Sequence, residues 1–130
     1  EHGYNYTLNW CIDDQPVWMR MRSGPLLAVP YPQEVNDIPA IVSRKGSAAD
    51  FADLIIDTFD EMRDQSAQQT LVMGIALHPY IIGQPGRLRQ LRRALVHICN
   101  QRDAVWITRA KDIAATFAAV TPTPKTGLKL

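Results

Sequence analysis

Thr70-Leu71-Val72-Met73-Gly74-Ile75-Ala76-Leu77-His78-Pro79-Tyr80 is the stretch on which the fold turns. No polar side chain interrupts Leu71 to Leu77. Such runs suit a strand buried on both faces, as in parallel sheets. Pro79 has no N–H to give to a ladder, so the strand must end at His78. On either side the pattern changes to helical spacing. Upstream, Ser47 is a good N-cap with Asp50 three residues on, close to a capping box. Phe51, Leu54, Ile55, Thr58, Phe59 and Met62 follow on one face, while Asp53, Asp57, Asp60, Glu61 and Arg63 fill the others. That predicts an amphipathic helix of about five turns. Downstream, a second helix starts near Pro85, with Leu88, Leu91, Leu95, Ile98 and Cys99 inward.

The outer parts of the chain extend the alternation. Residues 4–10, Tyr-Asn-Tyr-Thr-Leu-Asn-Trp, are rich in β-formers and read as a strand. Cys11 to Pro16 breaks regular structure. Leu26 to Val29 is a short strand closed by Pro30, and Tyr31 to Pro39 is loop. Val105 to Thr108 reads as another strand, and Thr108 is placed to cap a last helix with Ala110, Ile113, Ala114 and Phe117 inward. Alternating strands and helices imply an α/β fold with a parallel sheet and right-handed crossovers. Too few strands are present for a closed barrel. The first residues lack a starting Met and begin in mid-pattern, which reads as a cut end of a longer chain. Residues 121–130 read as a flexible C-terminal tail.

Composition excludes several classes of function. The chain has 130 residues, 46% hydrophobic and 21% charged, with a net charge of +1. That charge gives no strong field for nucleic acid or an anionic membrane. No apolar run approaches the roughly 20 residues of a spanning helix. Cys11 and Cys99 make neither a disulfide framework nor a C-x-x-C pair, so they read as reduced thiols in a cytoplasmic protein. Arg87, Arg89, Arg92, Arg93 and Arg102 make a basic helix without interleaved aromatics, which reads as a solvated surface.

In parallel α/β folds ligands meet the carboxyl ends of the strands. His78 stands at such an end and can act there as general acid or base. Tyr80 follows with an aromatic face and a hydroxyl. Asp13 and Asp14 occupy the same kind of place after the first strand. One of them could orient a histidine, as the third member of a triad does, or both could simply make a turn. Trp10, Trp18 and Tyr31 flank these loops and could wall a small-molecule site. Glu34 and Asn36, crowded with Asp37 beside Tyr31, could grip an amide or a sugar, or hold their own backbone. No histidine has a partner at metal-ligand spacing, so no metal is assigned to this segment.

The string Ile75-Ala76-Leu77-His78-Pro79-Tyr80 resembles the last signature of the polysaccharide deacetylase (NodB-homology) family, an L-x-x-H-P-like motif on a late barrel strand. Further stretches look like its allantoinase-like branch: Asn9 to Pro16, Ser23 to Leu27, Val29 to Asp37, Gly83-Gln84-Pro85 and Arg87-Leu88-Arg89. The resemblance implies that residues 1–120 are the C-terminal part of a distorted (β/α) barrel with parallel strands. It implies a hydrolase of C–N amide bonds, with His78 as the late histidine that protonates the leaving group. The family's deacetylases hold a divalent metal such as zinc through an aspartate and an H-x-x-x-H pair. This sequence contains no H-x-x-x-H, so the resemblance leaves a metal to the full-length protein and none to this segment. The residue before Trp10 is Asn9, where the family often has the supporting aspartate, and that role would pass to Asp13 or Asp14 or be lost. The implied substrate is a small ureide, cyclic imide or N-acetyl sugar. Taken alone, the segment is expected to be inactive and to self-associate as a homo-oligomer through the edge strand Tyr4–Trp10. The rival reading is a binding or oligomerisation module of the same fold that has lost catalysis.

Overall fold

The computed structural model describes residues 3–124, so the tail expected over 121–130 lies largely outside the described residues. The chain divides into two compact units, Glu1–Tyr31 with Thr108–Leu130, and Pro32–Ile107.

The first unit is a three-stranded sheet in the order β1-β3-β2, together with one helix. Strand β1 (Tyr6–Asn9) lies parallel to β3 (Gly24–Pro30), from Tyr6 opposite Leu27 to Asn9 opposite Pro30. Strand β2 (Val17–Met21) runs antiparallel to β3, from Val17 opposite Ala28 to Met21 opposite Gly24. The all-parallel expectation is thus corrected to a mixed sheet. Gly24 has φ of 119°, a backbone only glycine takes without strain, and this lets β3 start directly after the turn from β2. Being central, β3 buries Leu27, Ala28 and Val29 almost completely. Helix α4 (Ala110–Val120) packs on β3 and β1. Trp18 bridges sheet and helix end, its ring tilted against Phe117 and its indole N–H donating to the Thr121 carbonyl at 3.2 Å.

The second unit is helical around one apolar core. Helix α1 (Ala48–Gln65) opens with the capping box its sequence announces. The Asp50 N–H donates to Ser47 Oγ at 3.1 Å, and the Ser47 N–H donates to Asp50 Oδ2 at 2.9 Å. Phe51, Ala52 and Ile55 point inward and meet Leu91 and Ala94 of α3 (Pro85–Cys99). Val35, a π-helical turn over Ile38–Ser43, and the four-residue helix α2 (Pro79–Ile82) close the core with Ala40, Ile41, Ile81 and Ile82. Burying such a side chain contributes about 1.5–3 kcal/mol.

Two expected strands take another form. The apolar run before His78 is extended, but among the described residues its one strand-like pairing is a parallel bridge, Asn36 to Ala76. Most of its side chains are half-buried, and Leu77 is 37% exposed, because a pleated run is covered only where a neighbouring strand exists. Val105 to Thr108 forms no strand either, and Trp106 and Ile107 stand exposed. No helix of the described residues is long and apolar enough to cross a membrane.

Candidate active site

The bridge between Asn36 and Ala76 builds the site. Ala76 N–H donates to the Val35 carbonyl at 2.9 Å, and Asp37 N–H donates to the Ala76 carbonyl at 3.2 Å. Two short extended segments are thereby set side by side and parallel. Asp37 follows the bridge by one residue and His78 by two. The Asn36 amide oxygen accepts from the Ile38 N–H at 3.1 Å, an Asx-turn that swings the chain away immediately beyond Asp37.

Asp37 is fully buried, and both of its oxygens are given to His78. Oδ2 accepts the His78 main-chain N–H at 2.7 Å, and Oδ1 lies 2.6 Å from Nδ1 of the ring. Against a carboxylate acceptor, the geometry assigns the proton to Nδ1. That leaves Nε2, on a side chain 31% exposed, as the nitrogen that can accept or donate a proton. The His78 carbonyl is fixed as well, accepting from Ile81 N–H at 2.8 Å and Ile82 N–H at 3.0 Å as α2 begins. The imidazole is therefore held at its backbone and at one ring nitrogen, with the other nitrogen free for chemistry. Tyr80 stands edge-on to it, ring centroids 5.8 Å apart, and is 70% exposed.

This arrangement corrects one assignment. The carboxylate on the His78 ring is that of Asp37, not of Asp13 or Asp14. Those two form a 3-10 turn, Ile12–Asp14, in the other unit. Both take positive φ, 51° and 49°, which aspartate tolerates better than most residues. Partial burial, and then the Asp13 charge, raise the Asp14 pKa above the usual carboxylate value. The remaining expected site residues fall in two groups. Tyr80, Glu34 and Asn36 share a unit with His78, but the Asn36 side chain serves its own loop and Glu34 faces Arg44 at 3.8 Å across solvent. Trp10, Trp18 and Tyr31 belong to the other unit. Trp10 is 55% exposed, whereas Trp18 is committed to Thr121 and Phe117. Among the described residues no three His, Cys, Asp or Glu side chains converge to hold a metal ion. Cys11 and Cys99 are free thiols.

A carboxylate-oriented histidine at the end of paired extended segments is an arrangement that can serve acid–base chemistry. No family model matches the chain. Individual proteins do. A Schizosaccharomyces pombe protein named "Putative polysaccharide deacetylase" is 32% identical over 121 residues, an alignment that takes in 85% of this chain and 38% of that protein. The crystal structure of Puue allantoinase matches with a TM-score of 0.85 and 31% identity, over 95% of this chain and 41% of that one. A structure from Pseudomonas aeruginosa PAO1, titled a "probable Polysaccharide deacetylase", matches with a TM-score of 0.82 and 28% identity, over 94% of this chain and 41% of that one. The likeness to polysaccharide deacetylases and allantoinase is thus present in both sequence and fold. It extends over only part of those proteins, since the chain spans 38% to 41% of their length.

Proposed function

We infer that the full-length protein hydrolyses a C–N amide bond in a small ureide, cyclic imide or N-acetyl sugar, and that this chain contributes the acid side of the site as the C-terminal part of a (β/α) barrel. The observation that carries this is the Asp37–His78 pair, with both carboxylate oxygens spent on one histidine and Nε2 left open. Water attacks the amide carbonyl. For this step His78 carries a proton on both ring nitrogens, with Asp37 facing Nδ1–H. It gives the Nε2 proton to the departing nitrogen, which would otherwise leave as a poor, anionic group, and is left as the neutral Nδ1–H imidazole. Asp37 holds the ring so that the Nε2 proton points one way. Tyr80 offers an aromatic wall beside the imidazole.

The base that activates the water is assigned outside this chain. Among the described residues the donors do not by themselves fit the divalent metal that the deacetylase resemblance suggests. The chain alone should accordingly be inactive. The reading includes a cytoplasmic, homo-oligomeric enzyme with no nucleic-acid or membrane partner. The allantoin-like substrate class is favoured by the match to Puue allantoinase, at 31% identity and a TM-score of 0.85.

The test is turnover by the full-length protein on allantoin and on N-acetylated sugars. His78→Ala should lower kcat on the order of a hundredfold or more with KM changed less. An unchanged kcat would reduce His78 to a strand-end packing residue, and the binding-module reading would replace the enzymatic one.

A further inference from the structure

Helix α2 has four residues, too few to hold together by its own hydrogen bonds. It nevertheless carries the site, because its N-cap is His78 and its second residue is Tyr80. Three things fix its position. Ile81 and Ile82 are anchored in the core, at 4% and 3% exposure. Gly83 lets the chain turn away where a side chain would collide with the Pro79 carbonyl, only 2.3 Å from where a Cβ would stand. The third is Arg87, half-buried in the first turn of α3, whose Nη1 donates to the Ile81 carbonyl at 3.1 Å.

The geometry points to Arg87 as a positioning residue for proton delivery by His78, acting through the Ile81 peptide. That peptide unit is bonded in series. The guanidinium holds the Ile81 carbonyl, and the N–H of the same peptide unit, that of Ile82, donates to the His78 carbonyl at 3.0 Å. Asp37 fixes His78 from its amide side and at its ring. Arg87 thus completes a set of restraints that reaches the histidine from both directions along the backbone. A cation is suited to this place because the last carbonyls of a helix carry partial negative charge and lack intrahelical donors. The planar guanidinium meets a carbonyl with less loss of freedom than an ammonium would. Losing it frees the α2 turn to drift, and small misplacements of a catalytic group are costly. Tyr80 is an exposed wall that tolerates a small shift, whereas proton delivery needs Nε2 aimed, so the loss should fall more on kcat than on KM.

The inference rests on His78 acting as the acid, so the experiment includes His78→Ala as its reference. The full-length protein is compared with Arg87→Met, which keeps an apolar stem of similar length, and with Arg89→Met on the exposed face of the same helix as control. The concentration of folded protein is set from unfolding curves. Arg87→Met should lower kcat per folded molecule about tenfold or more, leave KM within about threefold, and regain activity with added low-millimolar guanidinium. Arg89→Met should match the parent. Should Arg87→Met fail to fold, Arg87→Lys decides by the same criteria, with a several-fold fall in kcat expected from a point donor in place of the fork. A wild-type kcat per folded molecule in the variant that folds overturns the proposal, even if its melting temperature is lower. If His78→Ala itself keeps full activity, the functional reading has failed and not merely the part given to Arg87.

Discussion

Replacing Asp37 by Asn removes one charge and turns one acceptor into a donor, with almost no change of shape. The carboxylate it replaces is fully buried and meets two donors, the His78 N–H at 2.7 Å and Nδ1 at 2.6 Å. An amide has one oxygen for the two. The main-chain N–H cannot change its chemistry, whereas the ring can move its proton. The amide oxygen should therefore take the backbone N–H, and the NH2 should face Nδ1. Nδ1 must then carry the lone pair, and the proton shifts to Nε2. Two charge-assisted hydrogen bonds of about 1.5–3 kcal/mol become two neutral ones of about 0.5–1.5 kcal/mol. Part of that difference is offset because a buried charge is gone. The net loss of stability should be about 1–3 kcal/mol, read as a lower urea midpoint. The larger effect should be on turnover, because the imidazolium that acts as the acid would need its second proton on Nδ1, which now faces an N–H2 and has lost the carboxylate that balanced its charge. In Ser-His-Asp triads the equivalent change costs about 10⁴-fold in kcat. Here a loss on the order of 10²–10⁴ is expected. Nitrogen-15 spectra of the histidines report the tautomer directly. A variant whose His78 still carries its proton on Nδ1 and turns over at the parent rate would refute the reasoning at both steps.

Three further variants probe the supports of the second unit. Gly83→Ala should destabilise the second unit by about 1–3 kcal/mol in chemical unfolding, since the new Cβ would stand 2.3 Å from the Pro79 carbonyl and α2 must shift; a variant as stable as the parent would mean the turn relaxes freely. At the start of α1, Ser47→Ala should cost about 1 kcal/mol, and Asp50→Asn should alter how stability depends on acid. Hydrogen bonds from the Ser47 backbone and then its side chain hold Asp50 below the ordinary carboxylate value of 3.8. Its contribution is therefore present above that value and lost as pH falls through the depressed folded one. The gap between parent and Asp50→Asn should be constant near neutrality and close in strong acid; a gap that persists there would count against the capping carboxylate.

Local chemistry was legible wherever it is decided by near neighbours. Ser47 and Asp50 mark the start of α1 because the two groups satisfy each other, and Pro85 and the leucine spacing mark α3. Strand β2 was hidden because Val17-Trp18-Met19-Arg20-Met21 has no clean alternation and is held by its pairing with β3. The run before His78 was legible as extended, but not how far it would be paired. Of the site, His78 and Tyr80 could be read from their place beyond an apolar run. Asp37 sits in a stretch that also offers Glu34 and Asn36, and nothing within that stretch separates them. What selects Asp37 is a partner 41 residues away in sequence. The available signal was the joint one, of two extended stretches each ending in a polar residue and then a proline within two positions.

The bridge from Asn36 to Ala76 has a meaning for folding as well. Neighbouring residues of an extended chain point to opposite faces, so a slip of one residue in that pairing would turn the Asp37 carboxylate away from His78. A mispaired chain would have to bury a charge with no donor to meet it, at a cost of several kcal/mol. The apolar residues on either side are far more forgiving, since Leu, Ile, Val and Met can exchange neighbours at little expense. The same two side chains that are proposed to move a proton thus act as a check on alignment, and only the native register lets the Asp37 carboxylate be buried with its donors.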